Sequence, residues 1–238
     1  MFTNSQNRFE FPAIGGLDEV FPAVLRNVYA WMFLGLATTA GVALVTAGSP
    51  LVSVLTQNPI LLLVLMLAEL GLVFGISAGI NRISVGAAAG LFFAYSVLNG
   101  ITLSLIFLVF TLGSIFMAFV AAAALFGAMS VIGYTTHLDL SKAGSFLMMA
   151  LLGLVIASIV SLFWANSVLQ GVITFAGILI FLGLTVYDTQ RIKRMTATAL
   201  AQGDEQVVGR YGILGALSLY LDFINLFLML LRLMGRRR

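Results

Sequence analysis

The sequence contains no cysteine and only one histidine, His137. Without cysteine there are no disulfide bonds and no thiolate metal sites, and a single histidine cannot form a cluster of imidazole ligands. We therefore expect no structural metal and no cofactor. An intramembrane serine protease is also excluded, because it needs a Ser–His pair inside the membrane. His137 lies instead in a predicted loop with Asp139 and Lys142.

Charge is scarce as well: 9% of the residues are charged and 61% are hydrophobic. A soluble domain carries about 25% charged residues, and a soluble fold of this size could not bury so much apolar surface. The composition therefore predicts an all-α integral membrane protein. Both lysines, Lys142 and Lys193, fall in predicted loops, which excludes a retinal Schiff base. No glycine-rich phosphate loop indicates ATP-driven transport, and nothing beyond a basic tail suggests nucleic acid.

Seven apolar windows are long enough to cross a bilayer, because a spanning helix needs about 20 mainly apolar residues. They cover residues 28–48, 59–80, 85–110, 114–135, 145–164, 168–189 and 212–234. Among the connections only 190–211 is long, and it is polar. We divide the chain into an N-terminal segment 1–26, a transmembrane domain 27–235 and a basic tail 236–238. Segment 1–26 lacks the apolar core of a cleavable signal peptide.

The distribution of positive charge predicts a cytoplasmic N-terminus. In that orientation eight of the twelve Lys and Arg residues are cytoplasmic, namely Arg8, Arg26, Arg82, Lys142, Arg191, Lys193, Arg194 and Arg210. The outer connections near 49–58, 111–113 and 165–167 hold none. The other four lie at the C-terminal end, and seven full crossings would place them outside. Either the last helix is short and re-entrant, or the first six helices override the tail.

Asp222 stands within the apolar run from Leu217 to Met234. A charge is costly in hydrocarbon, so an intramembrane carboxyl group is a candidate functional residue. Residues three and four positions apart around it are polar or small and share one stripe: Tyr211, Gly215, Ser218, Asn225 and Met229. A helix with one such stripe is expected to run through the middle of the bundle. The alternative is a protonated aspartic acid that is hydrogen-bonded only for packing.

Asp188 ends the sixth apolar window, directly before Arg191, Lys193 and Arg194. These basic residues mark the cytoplasmic interface. Asp188 is therefore either a functional residue or an ordinary interfacial aspartate paired with the neighbouring bases.

Glu69 lies near the centre of the second window. It either lines an ion path or is a neutral, hydrogen-bonded packing residue. In the third window Asn99 shares a helical face with Ser96 and Thr102, a pattern that favours hydrogen bonding between helices. Glu69, Asn99 and Asn225 are the candidate residues of an ion path.

Two separated motifs resemble the signatures of the Bax-inhibitor family, the transmembrane Bax inhibitor motif proteins. Residues 183–193 read Gly-Leu-Thr-Val-Tyr-Asp-Thr-Gln-Arg-Ile-Lys, and residues 219–227 read Leu-Tyr-Leu-Asp-Phe-Ile-Asn-Leu-Phe. A third match combines residues 126–130 with 133–136. The resemblance covers residues 25–235 and is nearest to bacterial inner-membrane members.

This resemblance implies a bundle of seven transmembrane helices, in which six surround a central C-terminal helix. It also implies a pH-sensitive calcium leak. In that family the two signature aspartates form a hydrogen-bonded pair that senses pH and gates the path, and here they are Asp188 and Asp222. A basic residue at the cytoplasmic end of the second helix is implied as their closed-state partner, and Arg82 occupies that position.

Spacing alone does not bring the two aspartates together. Asp188 is three residues from Arg191, which places it about 5 Å inside the interface at about 1.5 Å per residue. Asp222 is twelve residues beyond Arg210, which corresponds to about 18 Å. The two meet only if residues 211–216 are helical and still outside the hydrocarbon.

We interpret the chain as a proton-regulated cation leak in a bacterial inner membrane, with Ca²⁺ and protons as ligands and the lipid bilayer as its surroundings. Carboxylate oxygens suit a hard cation such as Ca²⁺, and polar faces on the third, sixth and seventh predicted helices favour transport. The alternative is a non-conducting regulatory protein. It would modulate a membrane protease or a stress or cell-death response through protein–protein contacts.

Overall fold

Helices form nearly all of the computed structural model, which describes residues 17–136, 138–164, 166–202 and 205–236. In chain order the described helices are α1 (Leu17–Ala47), α2 (Leu51–Gln57), α3 (Pro59–Gly79), α4 (Val85–Leu103), α5 (Ile106–Val109), α6 (Leu112–Thr135), α7 (Ser141–Phe163), α8 (Ser167–Gln202) and α9 (Glu205–Met234). His137 and residues 1–16 lie outside the described residues, as do residues 237–238 of the basic tail.

Seven stretches are long and apolar enough to cross a membrane, which confirms the predicted all-α transmembrane fold. Helices α4 and α5 together form the third stretch, and the short helix α2 lies within the first connection. Local hydrogen bonds explain where two of the helices begin. The hydroxyl of Ser84 accepts from the backbone N–H of Ala87 at the start of α4, and Thr111 accepts from Ser114 at the start of α6. Such caps satisfy amide groups that have no partner within the helix.

The predicted polar connection 190–211 is helical at residues 190–202 and 205–211, so here the sequence interpretation was wrong. Helix α8 continues to Gln202 and α9 begins at Glu205, so the two helices form a long antiparallel hairpin. The 36 residues of α8 extend about 54 Å, well beyond the roughly 30 Å of a hydrocarbon core. Polar residues are tolerated in this region because it projects past the hydrocarbon. Helix α1 likewise begins at Leu17 instead of residue 28.

Helix α9 is the central helix of the bundle. In its most apolar window 72% of the residues are buried, compared with 6% to 39% in the other six spans. It packs against α8, α6, α1 and α4, whereas α3 rests mainly on α4 and α7 on α8. The expected arrangement around a C-terminal helix is therefore confirmed. Because lipid is itself apolar, this packing depends on close van der Waals fit more than on removal of surface from water.

The crossings divide the connections between two sides of the bundle. On the N-terminal side α3, α6 and α8 end and α4, α7 and α9 begin, whereas on the C-terminal side α1, α5 and α7 end and α3, α6 and α8 begin. The end of the chain lies on the C-terminal side too. The backbone N–H of Arg236 donates to the Ser114 hydroxyl at 2.9 Å, and the Thr111 N–H donates to the Arg236 carbonyl at 3.2 Å. The last helix is thus a full crossing and is not re-entrant.

Candidate functional site

Asp188 on α8 and Asp222 on α9 are both buried, with 8% and 4% of their surfaces exposed. The hairpin explains how they come to similar depth. Asp188 lies fourteen residues before the end of α8 at Gln202, and Asp222 lies seventeen residues after the start of α9 at Glu205. In an antiparallel pair the two positions therefore differ by only about 4.5 Å in depth. The depth mismatch expected from spacing disappears because residues 190–202 and 205–211 are helical.

Small residues hold α8 and α9 close together on either side of Asp222. A Cβ atom at Gly215 would lie 2.8 Å from Ile192, and one at Gly177 would lie 3.0 Å from the sulfur of Met229. Gly215 and Met229 belong to the predicted polar stripe of α9, so this stripe faces α8 both before and after Asp222. The stripe is thereby placed against the helix that carries Asp188.

The electrostatic surroundings of the two carboxyl groups differ. Nη1 of Arg191 lies 3.8 Å from Oδ1 of Asp188, in an ion pair one turn apart on the same helix. Asp222 interacts electrostatically with Asp188, but its buried Oδ2 has no hydrogen-bond partner. A buried oxygen without a donor is costly. We call Asp188, Asp222 and Arg191 the aspartate cluster.

A second polar group lies on a different face of α9 and joins four helices. Glu69 on α3 accepts hydrogen bonds from the Thr102 hydroxyl at 2.8 Å and from Nδ2 of Asn99 at 3.3 Å, both on α4. The Tyr220 hydroxyl on α9 donates to Oδ1 of Asn99 at 3.0 Å and lies 2.6 Å from the Thr39 hydroxyl on α1. We call these five residues the Tyr220 network.

The protons in the Tyr220 network can be counted. Thr39 donates to the carbonyl of Ser96 at 2.8 Å, so its single proton cannot also serve Tyr220. The Tyr220 proton in turn serves either Asn99 or Thr39, and one close contact therefore lacks a proton. A rotated Asn99 amide would donate to Tyr220 and leave its oxygen facing Glu69. Every contact is then satisfied, provided that Glu69 carries a proton.

The sequence interpretation singled out Asp188, Asp222, Glu69 and Asn99, and the structure distributes them over the two groups. Asn225 is hydrogen-bonded to neither group. Its Nδ2 donates instead to the Leu221 carbonyl of its own helix at 2.8 Å. Arg82 is exposed and forms no ion pair with a described residue. The basic group beside Asp188 is Arg191.

Tyr220 and Thr39 are components of the site that the sequence interpretation did not select. Tyr220 is fully buried, and its ring packs nearly at right angles to the Phe92 and Tyr95 rings, with centroids 5.7 Å and 5.6 Å away. A tyrosine inside an apolar run needs a hydrogen-bond partner for its hydroxyl. That requirement was a usable signal for Tyr220. Thr39 carried none, because a lone threonine can bond to its own helix.

On the N-terminal side of the bundle, α8 is hydrogen-bonded to the residues that follow α6. Nε2 of Gln190 donates to the carbonyls of Thr136 and Leu138 at 3.3 Å and 2.9 Å. Asp139 accepts from the hydroxyl and the backbone N–H of Ser141, and these bonds hold the pKa of Asp139 below its usual value. Asp139 is fully exposed and stays ionised at neutral pH, unlike a buried carboxyl group that can exchange protons there.

Comparisons with known proteins agree with these features. A family model described as inhibitor of apoptosis-promoting Bax1 matches residues 22–238. Inner membrane protein YbhL of Escherichia coli K12 is 48% identical over 215 residues, which cover 90% of this chain and 92% of that protein. An uncharacterized protein of Borreliella burgdorferi is 43% identical over 215 residues, which again cover 90% of this chain and 92% of that protein. An uncharacterized membrane protein of Streptococcus pyogenes is 38% identical over 93% of this chain and 94% of its own. The chain therefore belongs to the Bax-inhibitor family of membrane proteins.

Proposed function

We propose that this protein is a pH-sensitive cation leak, with Ca²⁺ as the transported ion, gated by Asp188 and Asp222. The observation that carries the proposal is the aspartate cluster. Two buried carboxyl groups on adjacent helices interact, and one of them has an oxygen without a hydrogen-bond donor. A proton added to such a pair belongs to both groups. Carboxylates are also suitable ligands for a hard cation.

Gating in this proposal follows from the contact between α8 and α9. A shared proton lets the two carboxyl groups stay together, whereas ionisation of both makes them repel. Arg191, 3.8 Å from Asp188, opposes that repulsion. We propose that Arg191 has this role in the conformation described, and that Arg82 replaces it only after a rearrangement.

The Tyr220 network extends the proposal towards the middle of the membrane. Glu69 and Asn99 supply oxygen atoms near the centre of α3 and α4, and Asn225 lies less than one turn from Asp222 on α9. We propose that a cation passes these oxygens after the helices around α9 separate. Glu69 would then both bind the ion and exchange a proton, because its hydrogen bonding with Asn99 depends on its protonation.

We further propose that the N-terminal side faces the cytoplasm of a bacterial cell. That side carries most of the described basic residues, as the positive-inside rule requires, and relatives are named inner membrane proteins. The chain has no native cysteine, so single-cysteine labelling tests this orientation. Cysteine at Gly113 should react with an impermeant reagent added to intact cells, and cysteine at Arg82 should not. The reverse pattern would invert the orientation.

The deciding experiment is Ca²⁺ flux through the purified protein in liposomes, measured as a function of pH. We expect flux that changes with pH and that disappears in protein-free liposomes. If the folded protein passes no Ca²⁺ at any pH, the conducting function is wrong. The non-conducting regulatory protein, with a membrane protease or another membrane protein as its partner, then becomes the better explanation.

A further inference from the structure

A fissure runs between α1 and α6 along the surface of α9. Both helices pack on α9, yet their backbones hardly approach each other. Two cavities fill the gap, one of about 790 Å³ towards the N-terminal side and one of about 430 Å³ towards the C-terminal side. They share Leu36, Phe119 and Phe223 as lining residues. We call this continuous space the α1–α6 fissure.

The N-terminal part of the fissure has the length of a lipid in one leaflet. Along α1 its lining begins at Pro22 and ends at Leu36, and the fourteen helical steps between them rise about 21 Å. Half of a bilayer, including its headgroup region, measures about 20–22 Å. A volume of about 790 Å³ also lies within the roughly 300–1,000 Å³ of ligand pockets. The space therefore fits one molecule that extends from the interface to the midplane.

Polar groups collect at the mouth of this part of the fissure. Arg26 lines it, is exposed, and forms no ion pair with a described residue. Tyr134 faces it from α6, with its ring stacked on Phe21 at 5.7 Å, and Nζ of Lys193 lies 5.6 Å from the Phe21 ring centre. The described lining includes no acidic residue. The mouth thus offers a cation and a hydroxyl to an anionic group.

Deeper in the fissure the lining becomes almost entirely apolar. One turn below Tyr134 is Ser130, which is 7% exposed and whose hydroxyl has no hydrogen-bond partner. A change of serine rotamer would turn this hydroxyl towards the cavity, at the depth where a glycerolipid carries its ester groups. Below that point Met32, Phe33 and Phe119 provide only apolar contacts. The order of cation, hydroxyl and hydrocarbon matches phosphate, ester and acyl chain.

We propose that the N-terminal part of the α1–α6 fissure binds one anionic phospholipid, with its phosphate at Arg26 and an acyl chain between α1 and α6. The inference does not depend on conduction by the protein. It does place the lipid against Phe223, the neighbour of Asp222 on α9. An occupied fissure keeps α1 and α6 apart and contacts the helix that carries the proposed gate.

Native mass spectrometry of the full-length protein in detergent tests this site with equimolar phosphatidylglycerol and phosphatidylcholine of identical chains. We expect the wild-type protein to retain one phosphatidylglycerol in preference to phosphatidylcholine. Arg26→Gln should weaken phosphatidylglycerol binding about tenfold, since a charged hydrogen bond is lost. It should weaken phosphatidylcholine binding less, because that phosphate shares its headgroup with a choline cation, so the preference for phosphatidylglycerol should disappear. Arg232→Gln, at an exposed arginine on the opposite side, is the control and should have no effect.

A second pair of variants tests the location directly. Gly127 lines the fissure, and nothing lies within 4 Å of a Cβ atom placed there, so Gly127→Leu fills the space without disturbing packing. It should reduce binding of both lipids, whereas Gly153→Leu, at an equally open glycine on α7, should not. Equal binding by Gly127→Leu and wild type would refute the site. So would a lack of headgroup preference in the wild type, or displacement of the lipid by glycerol phosphate alone.

Discussion

The two polar groups on α9 differ in how completely their atoms are hydrogen-bonded. In the Tyr220 network each named side chain reaches a partner on another helix, at 2.6 to 3.3 Å. In the aspartate cluster Asp222 has an oxygen without a partner, and Asp188 relies on an arginine 3.8 Å away. A satisfied buried network holds a structure in place, whereas an unsatisfied one changes when a proton is gained or lost. We therefore assign fixation of α9 to the Tyr220 network while Glu69 carries its proton, and pH sensing to the aspartate cluster.

The largest effect is expected from removing titration in the aspartate cluster. Asp188→Asn and Asp222→Asn should each flatten the curve of Ca²⁺ flux against pH. The double variant should be no flatter than either single one, because the proton belongs to the pair. Flux assays in liposomes at a series of pH values measure this directly.

Asp139→Asn is the matched control for those variants. It removes a carboxylate on the same side, but the bonds from Ser141 keep the pKa of Asp139 low, so this group does not titrate near neutral pH. Its curve should overlay that of the wild type. Should either cluster variant instead keep the wild-type midpoint and amplitude, the paired-aspartate mechanism is wrong for this protein.

A smaller but clear effect is expected from forcing α8 and α9 apart. In Gly215→Leu the first side-chain atom, Cβ, would lie only 2.8 Å from the side chain of the buried Ile192. Such overpacking costs about 1–3 kcal/mol. We expect a lower unfolding temperature in detergent and a shifted pH midpoint of flux. Gly212→Leu, three residues earlier on α9 with nothing within 4 Å, should change neither. If the two variants behaved identically, the pH midpoint of flux would not depend on the contact between α8 and α9.

The Tyr220 network should respond in stability more than in pH dependence. Tyr220→Phe removes the hydroxyl that joins Asn99 and Thr39 and leaves buried groups unpaired, at a cost of about 1–3 kcal/mol. Thermal unfolding in detergent measures the loss, and Tyr134→Phe at an exposed tyrosine is the control. A normal unfolding temperature combined with a flattened pH curve would reverse the roles assigned to the two groups.

The smallest structural effect is expected at Glu69. In Glu69→Gln the new amide can donate to Asn99 as a protonated carboxyl group would, so the fold should be unchanged. Flux should fall severalfold, because glutamine cannot ionise to attract a cation once the helices around α9 separate. Unchanged flux at normal expression would make Glu69 a packing residue of the Tyr220 network.

Much of this architecture could be predicted because membrane solvation leaves a strong pattern in a sequence. Seven apolar windows, a polar stripe around Asp222 and basic residues after Asp188 were visible without a structure. The limits of α8 and α9 were not, because polar residues beyond the hydrocarbon look the same in a loop and in a projecting helix. Tyr220 and Thr39 were missed because their importance depends on partners 121 and 181 residues away in the chain.

The sequence alone determined that the chain crosses a membrane, how often it does so, and which few ionisable residues lie in hydrocarbon. The free energy of transferring a residue from water to lipid is almost independent of its distant neighbours in the chain. Composition and the helical periodicity of apolar residues are therefore sufficient to predict these properties. The tertiary structure decided which polar residues come together: Asp188 and Asp222 at similar depth on the antiparallel helices α8 and α9, and Glu69 with Tyr220 through Asn99. It also decided that α1 and α6 leave a fissure, because helix separation depends on side chains from several helices fitting together at once.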